Sequence, residues 1–195
     1  MTVKRQITAE DIRPEAEYLL IRVEERRRIS AVKKDRRVEV GPFATFYFEN
    51  WQTVRHQIQE MLHIEKGGAE QLADELAAYG PLVPRGNELI ATVMFEIDDP
   101  IRRKAALQRI GGIEHRTFLS IGGEQVRGIP DAERENTSEE GKASAVQFFH
   151  FPLTDSQAAA FRTQGTQILL GFDHPSYGHI AVVPPNFQAA LAEDL

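Results

Sequence analysis

Apolar and polar residues alternate with a two-residue rhythm in short stretches and a helical rhythm in longer ones. Gly or Pro stands at most of the changes. Val38, Val40, Phe43, Thr45, Tyr47 and Glu49 give a rough strand-like alternation, broken at Gly41 and Pro42, where a hairpin turns. Asn50 follows directly and opens a segment with Trp51, Val54, Ile58, Met61 and Leu62 on one side. His56, Gln59, Glu60 and His63 lie on the other side, so the spacing predicts an amphipathic helix to about Glu65, stopped by Gly67 and Gly68. Upstream, Thr8 and Asp11 resemble a capping signal, and Pro14 suits the first turn of a long helix reaching about Lys34. Tyr18, Ile21, Ile29 and Val32 form its apolar stripe.

Downstream, residues 69–79 predict a short helix and 89–97 a buried strand, and Asp99-Pro100 supplies the cap and first turn of another helix. Residues 117–121 and 124–128 read as a hairpin about Gly122-Gly123, since glycine takes the positive φ such a turn demands. Residues 144–151 form a further strand, and Thr154 or Asp155 caps a helix through Phe161. Strands at 167–172 and 180–183 are joined across Asp173 to Gly178, and Pro184-Pro185 opens a last helix. Short hairpins permit only antiparallel pairing. With helices clustered early and strands late, the pattern predicts a single α+β domain: a mainly antiparallel β-sheet with helices packed on it and a long N-terminal helix. The polar stretch 131–142, read as a mobile loop, is the only seam.

A chain of 195 residues suits one core of ordinary size. It contains no cysteine, which excludes disulfides, thiolate metal sites and a cysteine nucleophile. The first thirteen residues carry charges and no apolar run, unlike a signal peptide, and no apolar stretch approaches the roughly 18 residues of a membrane span. The expectation is a cytoplasmic protein without membrane contact.

The net charge of −6 conceals an asymmetry. From Arg22 to Arg37 there are eight basic and three acidic residues, a local +5 against −11 for the rest. Arg26, Arg27, Lys33, Lys34, Arg36 and Arg37 therefore form a candidate docking strip for an acidic partner or a phosphate. The plainer alternative is a solvated helix whose cations pair with the acidic remainder. Nucleic-acid binding through the strip is disfavoured by the overall acidity.

The chain resembles a bacterial family known only as domain-of-unknown-function family 3501. The resemblance is carried by residues 7–11 and 34–41, and above all by Phe48, Glu49, Asn50, Thr53, Gln57, Ile58, Gln59, Glu60 and Met61. Residues 88–96, 144–147, Asp173-His174-Pro175 with Tyr177, and 190–195 add to it. The family carries no established activity. The resemblance implies a genomic setting beside a rubrerythrin-like protein and an iron–sulfur oxidoreductase, and hence a partner of that kind in peroxide or redox defence.

Three constellations are candidate sites. His56, Glu60 and His63 fall within one arc of a helix, where two imidazoles and a carboxylate have the donor types that hold zinc or iron. A wet helix face is the plainer reading. Glu49, Asn50, Thr53, Gln57 and Glu60 surround a strand-to-helix turn and form a candidate ligand-binding cluster, with Asn50 first of all a cap. His174 and Tyr177 join that ligand set from the loop Asp173 to His179, where acid–base groups meet on a segment that also reads as a simple turn. Phosphate-binding, dinucleotide-binding and nucleophile-elbow motifs are absent. The leading expectation is an accessory protein that binds a ligand or a protein partner in a redox setting. A metal-dependent enzyme or carrier using the His/Glu helix face is the alternative.

Overall fold

Gly41, with φ of +70°, reverses the chain between β1 (Arg37–Val40) and β2 (Ala44–Phe48). A Cβ at this position would lie 2.6 Å from the His179 ring, so only glycine fits the approach. The computed structural model describes residues 3–195 and contains two antiparallel sheets. Of the sequence's opening stretch, Met1 and Thr2 lie outside the described residues. β3 (Glu88–Phe95) pairs with β2, and the first sheet continues through β7 (Val146–Pro152) to the two-residue β6 (Ile129–Pro130), in the order β1-β2-β3-β7-β6. The second sheet has the order β5-β4-β8-β9, built from β4 (Thr117–Ile121), β5 (Glu124–Arg127), β8 (Ile168–His174) and β9 (Tyr177–Val182). The strands thus divide between two sheets, because β4 pairs with both its hairpin partner and the distant β8.

Register decides which side chains face inward. Val38 opposes Phe46 and Phe46 opposes Val93, which puts one parity of the first sheet on a common face. Val40, Phe46, Phe48, Val93 and Phe149 from that face join Leu119, Leu170 and Phe172 of the second sheet in one core. Phe46 and Phe172 meet with ring centroids 5.2 Å apart. Each fully buried ring contributes about 1.5–3 kcal/mol. The helices α4 (Pro100–Arg109), α5 (Asp155–Arg162) and α6 (Pro185–Ala192) add Leu107, Phe161 and Leu191 to the same core.

The opposite face of the first sheet is only partly covered. α2 (Trp51–Glu65) lays Val54 and Ile58 against Ile90 and Phe148, and Leu82 and Val83 close the cluster after α3 (Gly68–Tyr79). α1 (Glu15–Lys34) packs outside α2 and buries only Tyr18 and Ile29. Where the end of β3 pairs with the start of β7 the cover stops, leaving Met94 37% and Val146 39% exposed. Among the described residues no helix is long and apolar enough to cross a membrane.

Segment 131–142 is irregular but tied down. Arg134 lies 4.2 Å over the Phe148 ring and donates to the Ala78 carbonyl, while Thr137 donates to Glu114.

Candidate functional site

The uncovered end of the first sheet is where the basic half of α1 comes to lie. β2 alternation sends Ala44, Phe46 and Phe48 into the core and turns Tyr47, half-buried, and Thr45, buried, to the opposite face. A groove of about 730 Å³ runs between α1, β2 and α2, lined by Arg26, Arg27, Lys33, Lys34, Arg37, Tyr47 and His56. Neighbouring Arg22 and Arg28 pair with Glu60 and Glu25. Arg26, Arg27, Lys33 and Lys34 make no ion pair or side-chain hydrogen bond among the described residues. Arg37 pairs with the exposed Glu39 at 3.0 Å and sits 5.6 Å over the Tyr47 ring.

The Nδ1 of His56 is buried with no partner among the described residues. Burial pushes its pKa down; Glu60 pulls it up, and Lys33, Arg55 and Arg26 push it further down. His56 is therefore neutral at physiological pH. The Tyr47 phenol is pushed up, first by burial and then by its 3.0 Å bond to the Glu96 carboxylate.

A cavity of about 380 Å³ adjoins the groove and shares Lys33 and Tyr47 with it. Its polar lining is Glu49, Gln57 and Thr92, and its apolar wall includes Val54, Met94, Val146 and Phe148. Glu49 belongs to the two-residue link between β2 and α2, and the local sequence fixes that link. Asn50 caps α2 by accepting from the Thr53 amide at 3.0 Å, and Thr53 Oγ1 accepts in return from the Asn50 amide at 2.9 Å. The Thr53 hydroxyl donates to one Glu49 oxygen and the Thr92 hydroxyl to the other at 2.7 Å. Glu49 is thus held by two hydroxyls while each oxygen keeps acceptor capacity toward the cavity. Gln57 makes no side-chain hydrogen bond among the described residues and leaves its amide available.

α1 packs on the helix face that the metal reading uses. His56, Glu60 and His63 do share the side of α2 that the spacing predicts, but α1 crosses it and engages Glu60 and His63 separately, leaving His56 without a hydrogen-bond partner at Nδ1 among the described residues. Arg22 donates to both oxygens of Glu60 at 2.8 Å, and the Tyr18 hydroxyl donates to one of them. These bonds, Arg22 foremost, hold the Glu60 carboxyl down to about 2 against the opposing effect of burial. His63 Nδ1 pairs with Glu15 at 2.7 Å. No group of three or more His, Asp or Glu among the described residues is disposed to hold a metal. Glu60 accordingly serves the α1–α2 contact and lines neither the groove nor the cavity.

Two further ligand candidates stand apart from the cavity. His174 ends β8, with Nε2 3.2 Å from the Gly111 carbonyl and Nδ1 accepting from the Ser176 amide. Tyr177 opens β9; its hydroxyl donates to the Val40 carbonyl at 2.8 Å and accepts from the Phe43 and Ala44 amides. The expected loop from Asp173 to Gly178 shrinks to Pro175-Ser176, because β8 and β9 pair up to His174 and Tyr177. Within the basic strip Arg36 is the exception. It is buried, donates to the carbonyls of Phe48, Ala190 and Glu49 at 3.0–3.1 Å, and pairs with buried Asp194. Burial pushes the Asp194 carboxyl up while Arg36 and Arg5 oppose it. Arg36 is a tie rod behind the Glu49 turn and presents no charge at the surface.

The sequence matches, over residues 6–195, the family described as "Protein of unknown function (DUF3501)". The chain belongs to this family. A crystal structure of a novel protein of unknown function from Burkholderia pseudomallei K96243 is similar throughout: 39% identity, TM-score 0.90, 97% of this chain and 99% of the other. No curated protein matches the sequence. Glu49, Asn50, Thr53 and Gln57, which lie within the matched residues, build the β2–α2 turn and the cavity edge.

Sequence reasoning passed over Tyr47, Tyr79, Thr92, Met94 and Phe148 as cavity residues. The signal for three of them was there: Tyr47 has the opposite parity to Phe46 and Phe48 on β2, and Thr92 and Met94 the opposite parity to Ala91 and Val93 on β3. A separate depression of about 560 Å³ near α4 sets Glu96, Asp98 and Asp99 against Arg102 and Arg109, so its charges offset one another.

Proposed function

We propose that the protein is an accessory binding protein whose α1 groove takes an anionic ligand, in the redox or peroxide-defence setting that the family resemblance suggests. One observation carries this reading. Four cations of one helix, Arg26, Arg27, Lys33 and Lys34, line a groove without internal partners in a chain whose net charge is −6. Clustered like charges repel one another, and an anion removes that cost. His56, its pKa lowered chiefly by burial, lines the same groove.

Calorimetric titration with pyrophosphate at low and moderate salt tests the reading. Affinity falls with salt, and an Arg26→Ala/Lys33→Ala/Lys34→Ala variant loses at least tenfold while its unfolding midpoint holds. Absence of binding at low salt, or an unchanged affinity in the variant, overturns it.

Docking of an acidic rubrerythrin-like or iron–sulfur protein is the second reading. It is favoured by Leu20 and Val23, which are 85% and 68% exposed on the same helix as the cations. Titration with such a protein at two salt concentrations, against a Leu20→Glu variant, separates it from the first. Loss of protein binding with pyrophosphate binding intact supports docking.

A further inference from the structure

We infer that the groove and the adjoining cavity form one site for a phosphate ester of a nitrogen-bearing aromatic ring, with a nucleoside monophosphate as the type. The inference rests on the anion-binding reading of the groove and extends it to the other half of the ligand. Lys33 and Tyr47 line both spaces, so the groove and the cavity adjoin at these two side chains.

The two ends have opposite chemistry. The groove offers Arg26, Lys34 and Arg37 for a phosphate. The cavity offers the Glu49 carboxylate, which repels a second anion and accepts from N–H donors. Its two oxygens are already oriented by the Thr53 and Thr92 hydroxyls, so accepting a ligand N–H requires no rearrangement of the side chain. The Gln57 amide beside it supplies a donor and an acceptor. A carboxylate next to a side-chain amide is the combination that reads the polar edge of a heterocyclic base.

The rest of the wall suits the face of such a ring. Phe148 and Tyr79, each with Arg134 over one face, line the cavity with aromatic surface, Met94 is a polarisable contact, and such surfaces favour contact with any base. A volume of about 380 Å³ lies at the small end of ligand cavities, which fits one ring system with the sugar and phosphate left to the groove.

The test is calorimetry on the full chain with inorganic phosphate, ribose 5-phosphate and the four common nucleoside monophosphates. At least one nucleotide binds tenfold or more tighter than ribose 5-phosphate. Glu49→Gln removes most of that advantage and leaves ribose 5-phosphate unchanged, whereas Lys33→Ala weakens both. Because Glu49 also anchors two hydroxyls, Gln57→Leu serves as a second variant, and it too reduces the nucleotide's advantage by about fivefold. Nucleotides that bind no tighter than ribose 5-phosphate overturn the inference and leave the anion groove standing. If no phosphate compound binds at all, the anion reading itself falls.

Discussion

Replacing Arg36 by Met is the sharpest test of how the fold holds the Glu49 turn. Arg36 is 4% exposed and Asp194 3%, so the substitution strands a carboxylate out of water. It also removes the donors to the carbonyls of Phe48, Glu49 and Ala190. Breaking a buried ion pair by deleting one partner costs about 3–5 kcal/mol, because the remaining charge is uncompensated. Methionine fills most of the volume, so a cavity adds little. Against a total stability of about 5–15 kcal/mol, this is a large fraction. With a urea slope of about 2 kcal/mol/M, the unfolding midpoint followed by circular dichroism falls by about 1.5–2.5 M. An Arg36→Met/Asp194→Leu variant recovers at least half of the loss, since removing both charges leaves no buried orphan. A single variant within about 1 kcal/mol of the parent would refute the reasoning. So would a double variant that loses the full sum of the two single changes.

Glu60→Gln tests the α1–α2 contact through pH. The folded carboxyl is held to about 2, below its ordinary 4.5, so its stabilisation is complete above about pH 4.5 and is lost as the pH falls toward 2. The shift alone corresponds to about 3 kcal/mol. With Glu60 17% and Arg22 28% exposed, screening brings the expectation nearer 1–2 kcal/mol at pH 7. The gap between parent and variant in chemical denaturation narrows from pH 7 to pH 3.5; an equal gap at both sinks the account. Tyr177→Phe deletes a buried hydroxyl that serves three main-chain groups and costs about 1–3 kcal/mol in thermal unfolding, with pyrophosphate affinity unchanged. Lost affinity in that variant would return Tyr177 to the binding site.

Features decided by near neighbours were legible in the sequence. Asn50 and Thr53 cap α2 because they stand three residues apart, and Gly122-Gly123 turns a hairpin because the turn demands positive φ. Arg36 was not legible, since it looks like its neighbours in any count of charge. Its partner, Asp194, lies 158 residues away. The helical arc of His56, Glu60 and His63 was read correctly as geometry. What no periodicity conveys is that α1 brings Tyr18, Arg22 and Glu15 across it. The split into two sheets was hidden for the same reason: whether β4 continues to β8 or to β3 is settled by long-range pairing. Candidate-site legibility follows the same division. Glu49 and Gln57 stood out beside a cap signal, whereas Thr92 and Tyr47 needed the knowledge that one face of their sheet is left open.

The Tyr177 hydroxyl lies at the corner where the second sheet meets the β1–β2 turn of the first. Three main-chain groups of one layer hang on one atom of the other, so neither layer can open without exposing unpaired amides. The two layers therefore melt together. Amide exchange at Phe43 and Ala44, the two amides held by that hydroxyl, should be as slow as in the central strands and should follow global unfolding, an unusual degree of protection beside a surface turn.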